Sequence, residues 1–292
     1  MLGRYKGIFL VICSAVLFGC MPLMANIIYE HGGTPVTLTL MRNFLALPFL
    51  WLLMRRSGKP MALRRQDIFP MFLLSLGFVG TPVLLFSSYR SIPSGMATTI
   101  HFVYPVFVLL GCVLFCRERL SRVKTLCVAL CTCGILLFYT PGDTAGLSGI
   151  LLAFLSGITY AFYIIYLGRC RVSQLATFTL AFWLCLFSSA DLLLYLAATG
   201  GLQFSMSPLG WGLCFFFAVS ITVGASVSFQ VGVKEIGAQR AAILSTFEPI
   251  TSIVIGIVVF SDPFGIKTAA GVLSILAAVM ILTLFDHEKA AA

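Results

Sequence analysis

Long apolar runs separated by short polar breaks recur ten times along this chain. The runs cover 7–29, 34–54, 68–89, 93–116, 123–140, 147–167, 173–198, 209–232, 238–260 and 267–285. A helix needs about 20 mostly apolar residues to cross a bilayer. The pattern therefore predicts ten membrane spans, the fifth being the weakest by length. The polar breaks are too short to hold a soluble domain.

The pattern also repeats. At an offset of 144, Ile92 falls on Ile236, Ala97 on Ala241, Pro105 on Pro249 and Glu118 on Asp262. At an offset of 142, Gly7, Ile8 and Leu10 fall on Gly149, Ile150 and Leu152. The same offset sets Ser14, Phe18 and Met21 against Ser156, Tyr160 and Tyr163. Each of these triplets has the spacing i, i+4, i+7 and occupies one helical face. The expectation is an all-α integral membrane protein made of two five-helix repeats, 1–143 and 144–292. Five is odd, so the second repeat enters from the opposite side. Inverted repeats of this kind build secondary transporters.

Composition agrees with the pattern. The chain is 60% hydrophobic and 10% charged, where an ordinary soluble domain carries about 25% charged residues. The net charge of +9 raises the question of nucleic acid, and its distribution answers it. With the N-terminus in the cytoplasm, 16 of the 19 Lys and Arg fall inside, Arg90 and Lys267 fall outside, and Arg42 lies within a span. That asymmetry is the positive-inside signal and places both termini in the cytoplasm. No basic face with aromatic stacking platforms accompanies these residues, so nucleic acid is not an expected partner. Arg4 and Lys6 before an apolar run resemble a signal peptide, but the run is long and no small-residue cleavage site follows, so it reads as the first span. The end of the chain, 288–292, reads as a disordered tail. The ten cysteines fall in spans or near the cytoplasmic side, where no disulfide is expected. Cys127, Cys131 and Cys133 cluster without His or carboxylate nearby in sequence, so they read as apolar filler and no metal or cofactor is expected.

The candidate chemistry lies where polar groups interrupt the apolar runs. Glu248 stands mid-span immediately before Pro249, and ionisable groups at that depth are functional candidates by default. It reads either as a proton-coupling or cation-binding carboxyl or as one satisfied by neighbouring hydroxyls and carbonyls. A helical proline removes one backbone bond and frees the carbonyl four residues back. Pro105 and Pro249 thus point to His101 and Ser245, with Tyr104 and Glu248 beside them, around a midplane cavity or at a structural kink. His101 is a second proton-coupling candidate or a neutral helix–helix contact. Arg42, about 12 Å deep by helical rise, snorkels outward, pairs with an acid such as Asp191, or binds a substrate carboxylate. Ser156, Tyr160 and Tyr163 line one face of the sixth span, and Thr222, Ser226 and Gln230 one face of the eighth. These line a pore or make helix–helix hydrogen bonds. The substrate-binding set drawn from these is Arg42, His101, Tyr104, Tyr160, Tyr163, Gln230, Ser245 and Glu248. No catalytic spacing and no P-loop are present, so the chain is not read as an enzyme, no ATPase subunit is implied, and transport energy comes from a gradient.

Several segments carry a family likeness. The fourth span is rich in small residues, passes through Pro105 and ends Phe115, Cys116, Arg117, Glu118, Arg119, Leu120. Its second copy runs through Glu248–Pro249 to Asp262, and Arg42, Asn43 and Phe44 stand in the second span. Taken together, these resemble the drug/metabolite transporter superfamily, specifically its ten-span members with two EamA-type domains. Asp262–Pro263 departs from the usual ending, and the first span lacks the family's Trp, with Leu17 and Phe18 near its place. The resemblance implies an inner-membrane exporter of amino acids or related small metabolites. It also implies a route lined by spans one, three, four, six, eight and nine, with five and ten peripheral. Other readings are a passive channel, a flippase, and a membrane-embedded enzyme acting on lipid.

Overall fold

In the computed structural model, residues 2–116, 121–140, 142–199, 201 and 205–291 are described. They form helices throughout, and no strand occurs among them. The first segment is α1 (Leu2–Gly19) and α2 (Met21–Glu30), the second α3 (Pro35–Phe44) and α4 (Leu47–Arg56). A 3-10 turn, Arg65–Asp67, leads into α5 (Ile68–Ser88). Then come α6 (Ser94–His101), α7 (Tyr104–Cys116), α8 (Arg122–Phe138), α9 (Thr144–Arg169) and α10 (Thr177–Thr199). The eighth segment is α11 (Pro208–Phe217), a π-helical stretch (Ala218–Ala225) and α12 (Ser226–Ile236). The last are α13 (Ala238–Leu244), α14 (Phe247–Phe260) and α15 (Ile266–Ala291).

Among the described residues, eight helical stretches are long and apolar enough to cross a membrane: Tyr5–Glu30, Pro35–Arg56, Arg65–Ser88, Ser94–Leu114, Thr144–Arg169, Thr177–Thr199, Pro208–Val233 and Ile266–Leu284. The fifth and ninth expected spans fall short for different reasons. α8 has 17 residues, about 26 Å of helix against a hydrocarbon core of about 30 Å, and its first turn carries Arg122 and Lys124. The ninth segment is broken, leaving α14 with 14 residues. The Glu118 end of the first repeat copy lies outside the described residues. At the C-terminus the expected disordered tail is instead helical, with α15 running to Ala291.

Four long segments are broken near their middles, and each break has a proline one or two residues into the following helix. Pro22 follows the break at Cys20, Pro48 the break at 45–46, Pro105 the break at 102–103 and Pro249 the break at 245–246. The chain tightens there. Val103 N–H bonds the Ile100 carbonyl at 3.1 Å, and Glu248 N–H bonds the Ser245 carbonyl at 3.0 Å. The expectation of an open carbonyl at Ser245 is thus corrected: the tightened turn satisfies it. The His101 carbonyl lies against Gly157, 3.3 Å from where a Cβ would stand, so glycine lets α9 approach the break. Only the breaks at Pro105 and Pro249 were expected from the sequence.

Between helices in lipid, close packing replaces the hydrophobic drive. α8 packs along α15, where Gly134 and Gly271 face each other so closely that a Cβ on either stands 2.9 Å from the other's carbonyl. α5 packs on α9, and α1 on α12. α6 crosses α14, and α10 rests on α3 and α4. Most hydroxyls in these helices bond carbonyls of their own helix, as Thr99 does to Gly95 at 2.7 Å and Thr39 to Pro35 at 2.7 Å. Such hydroxyls have given their one proton to the backbone and keep only acceptor lone pairs.

Candidate functional site

A cavity of about 380 Å³ lies where the helix breaks converge. Its walls come from α1, α2, α3, α4, α5, α6, α7, α9, α10, the π-helical stretch, α12, the break before α14 and the first turn of α14, and neither α8 nor α15 contributes. All eight residues singled out from the sequence line it: Arg42, His101, Tyr104, Tyr160, Tyr163, Gln230, Ser245 and Glu248. Thr222 and Ser226 line it too. The repeat offset of 144 sets His101 opposite Ser245 and Tyr104 opposite Glu248, so equivalent positions of the two halves meet at one cavity with different chemistry.

Of the two readings open for the face of Ser156, Tyr160 and Tyr163, Ser156 takes the helix–helix hydrogen bond: it is fully buried and does not line the cavity. Its Oγ lies 2.9 Å from His101 Nδ1 and 2.6 Å from the Ala153 carbonyl. The face geometry was right; α9 packs so closely on α6 that this position meets a side chain instead of the cavity. The route that the family resemblance implies, without spans two and seven, is corrected: Thr177, Phe178 and Cys185 face the cavity together with Arg42, already a candidate from its place in the sequence.

Aromatic rings form most of the apolar wall. Tyr104 and Tyr160 meet edge-on at 4.7 Å between centroids, and Tyr160 stacks on Tyr163 at 5.8 Å. The His101 ring lies 5.8 Å from Tyr104 and 5.5 Å from Tyr160. Tyr160 stands within electrostatic reach of both Glu248 and Arg42.

Arg42 is the cationic element of the wall. Its Cζ sits 5.8 Å from the Phe86 ring centroid and 5.9 Å from that of Phe217. Its Nε is buried without a hydrogen-bond partner. Asp191, the acid considered for it, instead accepts a 2.6 Å hydrogen bond from Ser75 Oγ. Two ring contacts contribute about 1–2 kcal/mol, less than the roughly 2.5–3.5 kcal/mol that burying an arginine in a membrane costs. The guanidinium thus retains capacity for an anionic partner. Beside it, Asn43 Nδ2 and Thr222 Oγ1 are also buried and unpartnered.

One side of the cavity is formed by His101 of α6 and Glu248 of α14, two helices that cross tightly. Thr98 and Ser252 hydroxyls meet at 3.1 Å across α6 and α14, and Gly95 admits the Ile253 backbone, whose Cα lies 2.7 Å from where a Cβ would stand. Asp262, past the end of α14, accepts from the Ser94 backbone N–H; burial nevertheless holds its carboxyl above the ordinary carboxylate range. Elsewhere the lining reaches Thr177 and Phe178 in the first turn of α10. The 57–64 linker packs there, with Thr179 Oγ1 donating to the Pro60 carbonyl at 3.0 Å and Trp183 Nε1 to that of Met61 at 2.9 Å.

Sequence reading missed Phe78, Thr81, Pro82, Phe86 and Cys185, all of which line the cavity. Pro82 inside α5 is a signal that could have found its neighbours, because it resembles the prolines at the other breaks. Phe86 and Cys185 carry no such signal and become visible only through packing.

Comparisons with known proteins give one consistent picture. The EamA-like transporter family matches residues 5–140 and again 147–284. An uncharacterized transporter, YcbK, of Bacillus subtilis (strain 168) is 28% identical over 278 residues, covering 90% of this chain and 88% of the relative. An uncharacterized inner membrane transporter, YicL, of Salmonella typhimurium is 25% identical over 299 residues, covering 98% of each. A solved crystal structure aligns over 96% of this chain and 98% of its own length with a TM-score of 0.66; at 16% identity this speaks to the fold alone.

Proposed function

The chain belongs to the EamA-like transporter family, and on that premise we propose that it is a secondary transporter exporting small metabolites such as amino acids by alternating access around the central cavity. The observation that carries this reading is the cavity itself, largely apolar but holding Arg42, His101 and Glu248, at the converging helix breaks and walled by both sequence repeats. Irregular backbone and ionisable groups at membrane depth persist only where they line such a cavity or are buried in protein.

In this reading the chain is two inverted repeats, 1–143 and 144–292, with ten spans. The break between the two family matches, at 141–146, supports that division. Helix neighbours support the symmetry: α5 on α9 corresponds to α12 on α1, α7 on α9 to α14 on α1, and α8–α15 pairs equivalent helices, while α6–α14 joins halves of the equivalent fourth and ninth segments. The protein resides in the inner membrane with both termini cytoplasmic, as the distribution of Lys and Arg supports. Arg42, His101, Tyr104, Tyr160, Tyr163, Gln230, Ser245 and Glu248 hold the solute. Glu248 and His101 are the proton-coupling candidates, and the protein is a uniporter or a proton antiporter.

The test is flux in proteoliposomes for a panel of amino acids, with and without an imposed pH gradient. Saturable flux for at least one solute is the expected result. Absence of saturable flux across the panel would overturn the amino-acid reading, and flux that never saturates would indicate a passive channel.

A further inference from the structure

One polar contact in the cavity wall bears on the protonation of a ring nitrogen. Ser156 has a single hydroxyl proton, and its Oγ donates to the Ala153 carbonyl at 2.6 Å. Only lone pairs remain on that oxygen for His101 Nδ1, 2.9 Å away. The hydrogen-bond network therefore assigns the imidazole proton to Nδ1. A neutral imidazole protonated there presents Nε2 as an acceptor and has no donor left for the cavity.

The contact exists on one side of the repeat only. Ser245 stands where the repeat places His101's counterpart, and its hydroxyl bonds the Ala241 carbonyl of its own helix at 2.8 Å. Ser14, the counterpart of Ser156, bonds the Ala225 carbonyl at 2.8 Å. Two near-symmetric halves thus carry one histidine acceptor between them. Glu248 is electrostatically coupled to Tyr104 and Tyr160, the two rings that flank His101. The opposite chemistry lies at Arg42, a group with donors alone.

We propose that Ser156 is a positioning residue that holds His101 in its Nδ1–H tautomer, and that His101 Nε2, in the cavity that Glu248 also lines, forms the subsite for a protonated amine on the solute. This rests on the transport reading above and deepens it: the solute is oriented, amine toward His101 and anionic end toward Arg42. An Nε2–H tautomer would place a donor against that amine and repel it.

The experiment uses the full chain in lipid nanodiscs with 15N-labelled histidine; the His101 resonances are assigned by difference from His101→Gln. Wild-type protein is expected to show His101 protonated on Nδ1, Ser156→Ala a substantial Nε2–H population, and Ser156→Thr, which keeps the hydroxyl, the wild-type state. Binding is followed in parallel by thermal shift with a panel of amino acids and their N-acetyl derivatives. Wild type should prefer the free amine, and Ser156→Ala should reduce that preference roughly tenfold, the weight of one hydrogen bond to a charged group. If Ser156→Ala does not fold, His101→Gln and His101→Asn replace it. Gln carries an acceptor to the Nε2 position and should keep the preference, whereas Asn reaches only the Nδ1 position and should lose it. A wild-type Nε2–H tautomer, a tautomer unmoved by Ser156→Ala, or an amine preference indifferent to these substitutions overturns the proposal. Failure of the whole panel to bind wild type overturns the amine subsite and the amino-acid reading together, and leaves the tautomer to be decided by the histidine spectra alone.

Discussion

At the scale of single residues, Arg42 and Glu248 give the sharpest expectations. Arg42 is buried, has an unpartnered Nε and touches two phenylalanine rings. If a solute carboxylate completes its shell, Arg42→Lys keeps the charge and loses the planar fork that grips a carboxylate with two parallel bonds. Binding of an amino acid should weaken roughly tenfold, about 1.4 kcal/mol, while its ester and its amide change little. Equal losses for acid, ester and amide would remove Arg42 from the site. Glu248→Gln preserves shape and removes a titratable proton. Flux by the variant should persist and lose its pH dependence, with Tyr89, Tyr104 and Tyr160 left as the titratable groups coupled to that position and Arg42 and His101 elsewhere in the cavity lining. An unchanged pH profile in a folded variant would reject Glu248 as the coupling group. Both residues were legible in the sequence, because a charge inside an apolar run is conspicuous. Ser156 was legible only as a member of a helical face; its role depends on the His101 side chain that reaches it from another helix.

At the scale of elements, the helix breaks are where sequence and structure agree most closely and where the differences are most instructive. Pro105 and Pro249 mark breaks from the sequence alone, since a helical proline cannot donate and crowds the preceding turn. The compensation was not legible: Glu248 N–H turns back to the Ser245 carbonyl. Pro249→Ala lets the turn revert to a regular helix. If the break shapes the site, flux should fall by severalfold while thermal stability holds or rises; a drop in both would mean that the break serves packing. The α8–α15 pair makes a separate prediction. Gly134→Ala places a Cβ 2.9 Å from the Gly271 carbonyl and 2.7 Å from Ile275 Cγ1, an overpacking that costs about 1–3 kcal/mol. Because neither helix lines the cavity, the variant should show a lowered Tm in nanodiscs with solute affinity retained. A loss of affinity equal to the loss of stability would mean that this pair is coupled to the site.

At the scale of the whole molecule, the cavity lining extends toward the first turn of α10, and the tight α6–α14 crossing is read as its sealed side. In a variant retaining Cys185 as its single cysteine, a membrane-impermeant thiol reagent should label it from the side of the 57–64 linker and not from the side of the Thr98–Ser252 contact. Labelling from the sealed side alone would reverse the assigned opening. What the sequence by itself determined was the kind of protein: apolar run length and the near-absence of charge set a membrane-spanning all-α chain, and the internal offsets set a repeated one. Those are properties of local composition and periodicity, which the bilayer enforces run by run. The candidate residues were legible for the same reason, since a polar group in hydrocarbon is costly wherever the helix packs. The tertiary structure alone decided which of them meet. It placed Ser156 behind the wall, gave Asp191 to Ser75, and brought Phe86 and Cys185 into a cavity that spans two and seven help to enclose. Those outcomes depend on how close two helices come and on which faces they turn to each other, and such distances are set by packing between segments far apart in sequence.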